Sequence, residues 1–153
     1  MTLAVPVLLG GVGVGIVGWS AWRLRAVVRL LLVEEDPLIR GLLELLLARH
    51  GYEVATAGDG SAGIRMAREV RPALVVSGVN LPATGEVGLL AAIRAEPGLE
   101  QTPVLFLSGD MSPDSVASAT ELGAVGYLTK PVVAEELLAT IQGLLKAPSD
   151  ASR

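Results

Sequence analysis

The sequence contains no cysteine in 153 residues and a single histidine, His50. Disulfides, thiolate zinc sites and cysteine nucleophiles are therefore excluded, and one imidazole cannot build a histidine-based metal site or relay within a chain. His50 precedes Gly51 and is expected as an exposed helix-end residue. Aromatic residues make up only 3% of the chain, so the 51% hydrophobic content is mainly aliphatic. Bases are also in short supply. Residues 27 to 153 hold ten of the twelve Lys and Arg and all sixteen Asp and Glu, a net charge of −6. A balance of that sign lacks the basic footprint of a nucleic-acid binder, so no nucleic-acid partner is expected. The tail "APSDASR" (147–153) is too short and polar for a second domain and is expected to be a disordered end.

What is present begins with apolar surplus. A mean hydropathy of +0.56 is high for a wholly soluble protein of this length and suggests one domain plus an apolar appendage. Leu3 to Trp22, "LAVPVLLGGVGVGIVGWSAW", is twenty residues without a charge. A helix of that length spans the roughly 30 Å hydrocarbon core, so residues 1–26 are expected to be a transmembrane segment. Trp19 and Trp22 stand where an interfacial belt belongs. Arg23, Arg25 and Arg29 follow, which places the rest of the chain in the cytoplasm as a single-pass protein of the inner membrane. A cleaved signal peptide is disfavoured, because nothing basic precedes the apolar run. Gly11 and Gly15 have the spacing of a helix-pairing motif, one candidate route to a homodimer. Gly13, Gly15 and Gly18 also form G-x-G-x-x-G, with Glu34 21 residues beyond Gly13. That mimics a dinucleotide-binding fingerprint and keeps a minor alternative open, an oxidoreductase.

From Val27 the pattern becomes five apolar strand candidates alternating with helical segments, which implies an α/β fold with a parallel sheet covered on both faces. The strands are expected at 27–33, 52–57, 73–78, 103–108 and 125–129. Asp36 caps the first helix with Pro37 at its first position, and "PLIRGLLELLLARH" places Leu38, Leu42, Leu45 and Leu46 on one face. Asp59 caps a helix in "SAGIRMAREV". Further helices are expected at 86–95, 112–123 and 133–146. In such sheets the reactive crevice lies at the carboxyl ends of the strands. The residues found there are Glu34, Glu35, Gly78, Ser108 and Lys130.

This constellation resembles the receiver domain of bacterial two-component response regulators over about residues 27–146. "LLLVEEDPLIRGLL" is similar to the family's first strand, acidic pair and first helix. "TAGDGSAGI", "RPALVVSGVNLP", "PVLFLSGD" and "GAVGYLTKPV" match its later strand ends in order, with Ser108 and Lys130 separated by 22 residues. The resemblance implies a doubly wound, flavodoxin-like sheet of strand order 2-1-3-4-5. It also implies an Mg²⁺-binding acidic pair, an aspartate at the end of strand three that takes a phosphoryl group from a histidine kinase, a hydroxyl that binds a phosphoryl oxygen, and a lysine that steadies the charge. Carried over by position, Glu34 and Glu35 are the acidic pair, Ser108 the hydroxyl, Tyr127 the aromatic switch, and Lys130 the lysine, in a cis turn with Pro131.

The acceptor position falls six residues after Pro72 and four before Pro82, on Gly78, which has no nucleophile. Ser77 should point to the opposite face of the sheet. Asn80 is neither a carboxylate nor readily activated, and Asp36 and Asp110 are distant substitutes near the rim. A metal site that has lost one ligand and lengthened another should hold Mg²⁺ weakly at most, since Mg²⁺ demands near-ideal octahedral geometry. Two carboxylates about 4 Å apart repel by roughly 4 kcal/mol at an effective dielectric of 20, so the pocket needs another cation. Lys130, paired with Glu35, is the expected one. The resulting expectation is a membrane-anchored, receiver-like module, not an enzyme, that acts by protein contacts with a histidine kinase, another receiver or a second copy through residues 112–146. The alternative within the family is phosphorylation at a non-standard acceptor.

Overall fold

In the computed structural model, residues 27–109, 112–121 and 123–146 are described. The strands are β1 (Arg29–Val33), β2 (Glu53–Ala57), β3 (Leu74–Gly78), β4 (Val104–Ser108) and β5 (Gly126–Thr129). The helices are α1 (Pro37–Arg49), α2 (Gly60–Val70), α3 (Gly85–Ala95), α4 (Pro113–Glu121) and α5 (Ala134–Lys146). All strand pairs are parallel and the order is β2-β1-β3-β4-β5, as expected. Every element falls within two residues of its expected bounds. Continuous apolar runs such as "LVVSG" and "VLFLS" are buried throughout because helices cover both sides of the sheet.

Strand alternation divides the core in two. Leu31, Val33, Val75, Val104 and Phe106 pack with Ala67 of α2, Leu89, Leu90 and Ile93 of α3 and Ala119 of α4. Leu30, Leu32, Leu74, Val76, Leu105 and Leu107 pack on the other side with Leu43 and Leu47 of α1 and Leu137 and Ile141 of α5. Each fully buried leucine contributes roughly 1.5–3 kcal/mol relative to leaving it exposed.

The caps behave as the sequence requires. The Asp36 carboxylate accepts the Leu38 and Ile39 N–H groups at 2.9 and 3.3 Å, and that of Asp59 accepts Ala62 N–H at 2.8 Å. His50 is exposed at the end of α1. The loop after β3 is pinned to α2: Gly60 N–H donates to Pro82 O at 3.0 Å, and a Cβ at Gly60 would collide with the Thr84 side chain. Only glycine lets that loop approach so closely.

One helix departs from expectation in how it uses its leucines. Leu38, Leu42 and Leu45 of α1 do share a face, but it is the outward one, with exposures of 69%, 59% and 57%. Leu43 and Leu47 fill the core instead.

Candidate functional site

The site is built at the carboxyl ends of β1, β3, β4 and β5. One residue past β1, Glu34 N–H still donates to Ala57 O at 3.0 Å, so the sheet alternation carries on and Glu34 lies on the side of Leu30 and Leu32. Gly78 ends β3 with the same parity as Leu74 and Val76. Glu34 is completely buried. Its Oε1 accepts Lys130 Nζ at 3.1 Å, its Oε2 accepts Asp36 N–H at 3.2 Å, and its backbone carbonyl accepts Arg40 Nη1 at 2.8 Å.

Lys130 therefore pairs with Glu34 and not with Glu35, correcting the sequence expectation. The physical reason is alternation: Glu34 keeps the direction set by β1 and turns into the crevice, while Glu35 is only half-buried. Arg40 was not anticipated. Its signal was its place in the first turn of α1, where a long cation can reach back to the strand end that feeds the helix.

Gly78 makes room for both glutamates. A Cβ at this position would stand 3.1 Å from Glu34 Oε1 and 3.1 Å from Glu35 Oε1, closer than nearly all real contacts of that kind. The two carboxylates thus occupy the space in front of the strand end where a side chain would emerge. Glu35 Oε1 is buried with no hydrogen-bond partner. The rest of the crevice is orderly. Ser108 is buried at the end of β4, and Lys130 N–H donates to its carbonyl at 2.9 Å. The Lys130–Pro131 peptide is cis, as the motif implied. Tyr127 lies half-buried against Phe106, with ring centroids 5.8 Å apart and planes inclined at 41°.

No nucleophile stands at the end of β3. Ser77 is buried with the parity of Val75, and its hydroxyl donates to Gly78 O at 2.7 Å. Asp36 is occupied as the cap of α1, and Asp110 lies outside the described residues. Nor do the side chains present fit Mg²⁺. One Glu34 oxygen already holds Lys130, Gly78 supplies no carboxylate, and among the described residues no three of His, Cys, Asp or Glu converge as a metal set. The dinucleotide reading loses its acid as well: Glu34, which it assigns to a ribose, is buried and paired with lysine. Its glycines, Gly13, Gly15 and Gly18, lie outside the described residues, as do the apolar segment 3–22, the Gly11/Gly15 motif and the tail. Among the described residues no helix is long and apolar enough to cross a membrane.

Comparison with known proteins agrees with this architecture. The family model described as response regulator receiver domain matches residues 30–142. The transcriptional regulatory protein PrrA of Mycobacterium tuberculosis is 39% identical over 118 residues, covering 77% of this chain and 50% of PrrA. The transcriptional regulatory protein AfsQ1 of Streptomyces coelicolor is 38% identical over 117 residues, covering 76% and 51%. The chain thus spans about half the length of the curated relatives it matches. Among solved structures, the chemotaxis protein CheY4 of Vibrio cholerae superposes with a TM-score of 0.74 at 33% identity, covering 77% of this chain and 98% of CheY4. With this fold, strand order and set of strand-end residues, the chain belongs to the response regulator receiver domain family of two-component signalling.

Proposed function

We propose that this receiver works without aspartyl phosphorylation, as a protein-contact module held at the cytoplasmic face of the inner membrane by residues 3–22. The observation that carries the first part is the crowding at Gly78: the acceptor position has no carboxylate, and two glutamates fill the space before it. Lys130, the cation available to steady an incoming phosphoryl group, is already neutralised by Glu34. The pocket holds its own internal counterion and needs no tightly bound Mg²⁺. Partners are then recognised by surface, with residues 112–146 the face the family commonly offers to signalling proteins, including kinases and other receivers. The names of PrrA and AfsQ1 mark those proteins as transcriptional regulators; for this chain, with its acidic balance, a protein partner is the better-supported reading than nucleic acid.

The test is incubation of the full chain with acetyl phosphate and Mg²⁺, followed by intact-mass measurement. No mass gain is expected, and a stable gain of one phosphoryl group overturns the proposal in favour of a non-standard acceptor. A Mg²⁺ titration adds an independent reading: millimolar-or-tighter binding abolished by Glu35→Ala contradicts the lysine-for-metal exchange. Co-purification from membranes tests the anchor and retrieves the partner.

A further inference from the structure

The outward face of α1 is unusual for a solvent-facing helix surface. At about 100° per residue, Leu38, Leu42, Leu45 and Arg49 fall within an arc of roughly 60°. The only acid in the helix, Glu44, lies about a third of a turn away from that arc. The stripe opens into a shallow hollow lined by Leu42, Leu45, Leu46, Arg49 and His50. Among the described residues, the other exposed large apolar side chains are Val87 of α3, Val125 before β5, Val133 before α5, and Val27 where the described chain begins.

Val27 marks the point from which the amino-terminal segment departs. Val28 packs into the same half of the core as Leu46 and Leu47, and Glu53 N–H donates to Val28 O at 2.9 Å. Val28 thus lies on the α1 side of the sheet, at the end where α1 finishes with Arg49 and His50. Between Trp22 and Val27 stand only four residues, Arg23 to Ala26, so the two are at most about 18 Å apart along an extended chain. A globule of this size is about 35 Å across. A tether shorter than the domain is wide presses one side of the domain against whatever holds the segment.

We infer that the leucine stripe of α1 rests on the cytoplasmic surface of the lipid bilayer, with Leu38, Leu42 and Leu45 in the interface and Arg49 among anionic headgroups. This rests on the membrane-anchor reading of residues 3–22 and specifies which face of the domain that anchor presents to lipid. The chemistry is that of an interfacial helix: an apolar stripe free of acids, a cation at its rim, and a membrane held within reach. Docking in this way covers α1 and leaves α4, which packs on the opposite side of the sheet, open to protein partners.

The absence of cysteine makes the test direct, because Leu42→Cys introduces one thiol at an exposed position. Arg65→Cys on α2, exposed on the opposite side of the sheet, is the control. Each full-length variant is labelled with nitrobenzoxadiazole and reconstituted into phosphatidylcholine–phosphatidylglycerol vesicles with or without doxyl-labelled lipid. The label at 42 is expected to lose emission to the lipid-borne quencher while that at 65 does not, and adding Leu45→Asp should abolish the loss at 42 while the chain still floats with the vesicles. If the label at 42 is as insensitive as the label at 65 while the chain floats, the stripe inference is overturned and the anchor stands. Failure to float overturns both. Protection of 42 from aqueous iodide that grows with protein density, without lipid quenching, assigns the stripe to a second copy and overturns the inference too.

Discussion

The crevice has two halves that differ in how closely their side chains are packed at the strand ends. The half made by β4 and β5 is orderly: Ser108 is buried at a strand end, Tyr127 packs on Phe106, and Lys130 precedes a cis proline. The half made by β1 and β3 is crowded. β3 ends in Gly78, and Glu34 and Glu35 fill the space beside it. The difference teaches that the crevice is matched across its two halves. The cation of the first half is held by a carboxylate of the second, so the pocket supplies its own counterion. Within the second half, residue 78 and the glutamates depend on each other, since the glutamates fit because residue 78 has no Cβ.

Cutting the link between the halves should have the largest effect. Lys130→Met leaves the wholly buried Glu34 carboxylate without its cation, which typically costs about 3–5 kcal/mol. Urea unfolding at neutral pH measures this, and Glu34→Gln added to Lys130→Met should recover a good part of the loss, because no buried charge then remains. A double mutant no better than the single one would show that the pair does not couple the halves.

The second effect tests the interdependence within β1 and β3. Gly78→Asp brings a Cβ within 3.1 Å of both carboxylates and adds a third negative charge, so a loss of about 1–3 kcal/mol is expected together with no Mg²⁺-dependent phosphorylation. Gly78→Asp combined with Glu35→Asp shortens one of the crowding side chains. It is expected to recover stability and to gain a phosphoryl group from acetyl phosphate. If the single change is phosphorylated as readily as the double one, the crowding is not what separates this pocket from its relatives.

Most of the fold was legible because β1, β3 and β4 are short apolar runs between turn signals, and burial on both faces leaves such runs no other role. The site was legible for the same reason, since reactive residues must stand at the strand ends. Two features were not. "PLIRGLLELLLAR" carries leucine around so much of the helix that periodicity cannot choose between the Leu43/Leu47 face and the Leu38/Leu42/Leu45 face; packing on β1 and β2 decides it. The partner of Lys130 was misassigned because adjacent glutamates look alike in sequence, though continuing the alternation of β1 by one residue singles out Glu34. Arg40 escaped because a side chain bonded to a backbone carbonyl leaves no complementary residue to find.

In the half made by β4 and β5, Tyr127→Leu should cost about 1 kcal/mol, the worth of a tilted aromatic pair beyond the area it buries. A shift of that size in the urea midpoint would mean Tyr127 serves packing against Phe106. A much larger one would tie it to the Glu34–Lys130 link, and Tyr127→Leu made in the Lys130→Met background tells the two apart by additivity.

The smallest effect should have the opposite sign. Glu35 Oε1 is buried without a hydrogen-bond partner, and both it and Glu34 Oε1 lie 3.1 Å from one point beside Gly78. Their separation is therefore at most about twice that distance, close enough for like charges to repel by a few kcal/mol at an effective dielectric of 20, and less after screening at a half-exposed residue. Glu35→Gln removes that repulsion, and its amide has an N–H to offer Glu34. Stability should rise by about 0.5–1 kcal/mol, read as a higher urea midpoint with an unchanged slope. Glu34→Gln should lower it, because Lys130 then loses its counterion. Two neighbouring glutamates giving opposite signs on the same substitution would establish that only Glu34 is the partner of Lys130; equal signs would mean that the cation is shared between them.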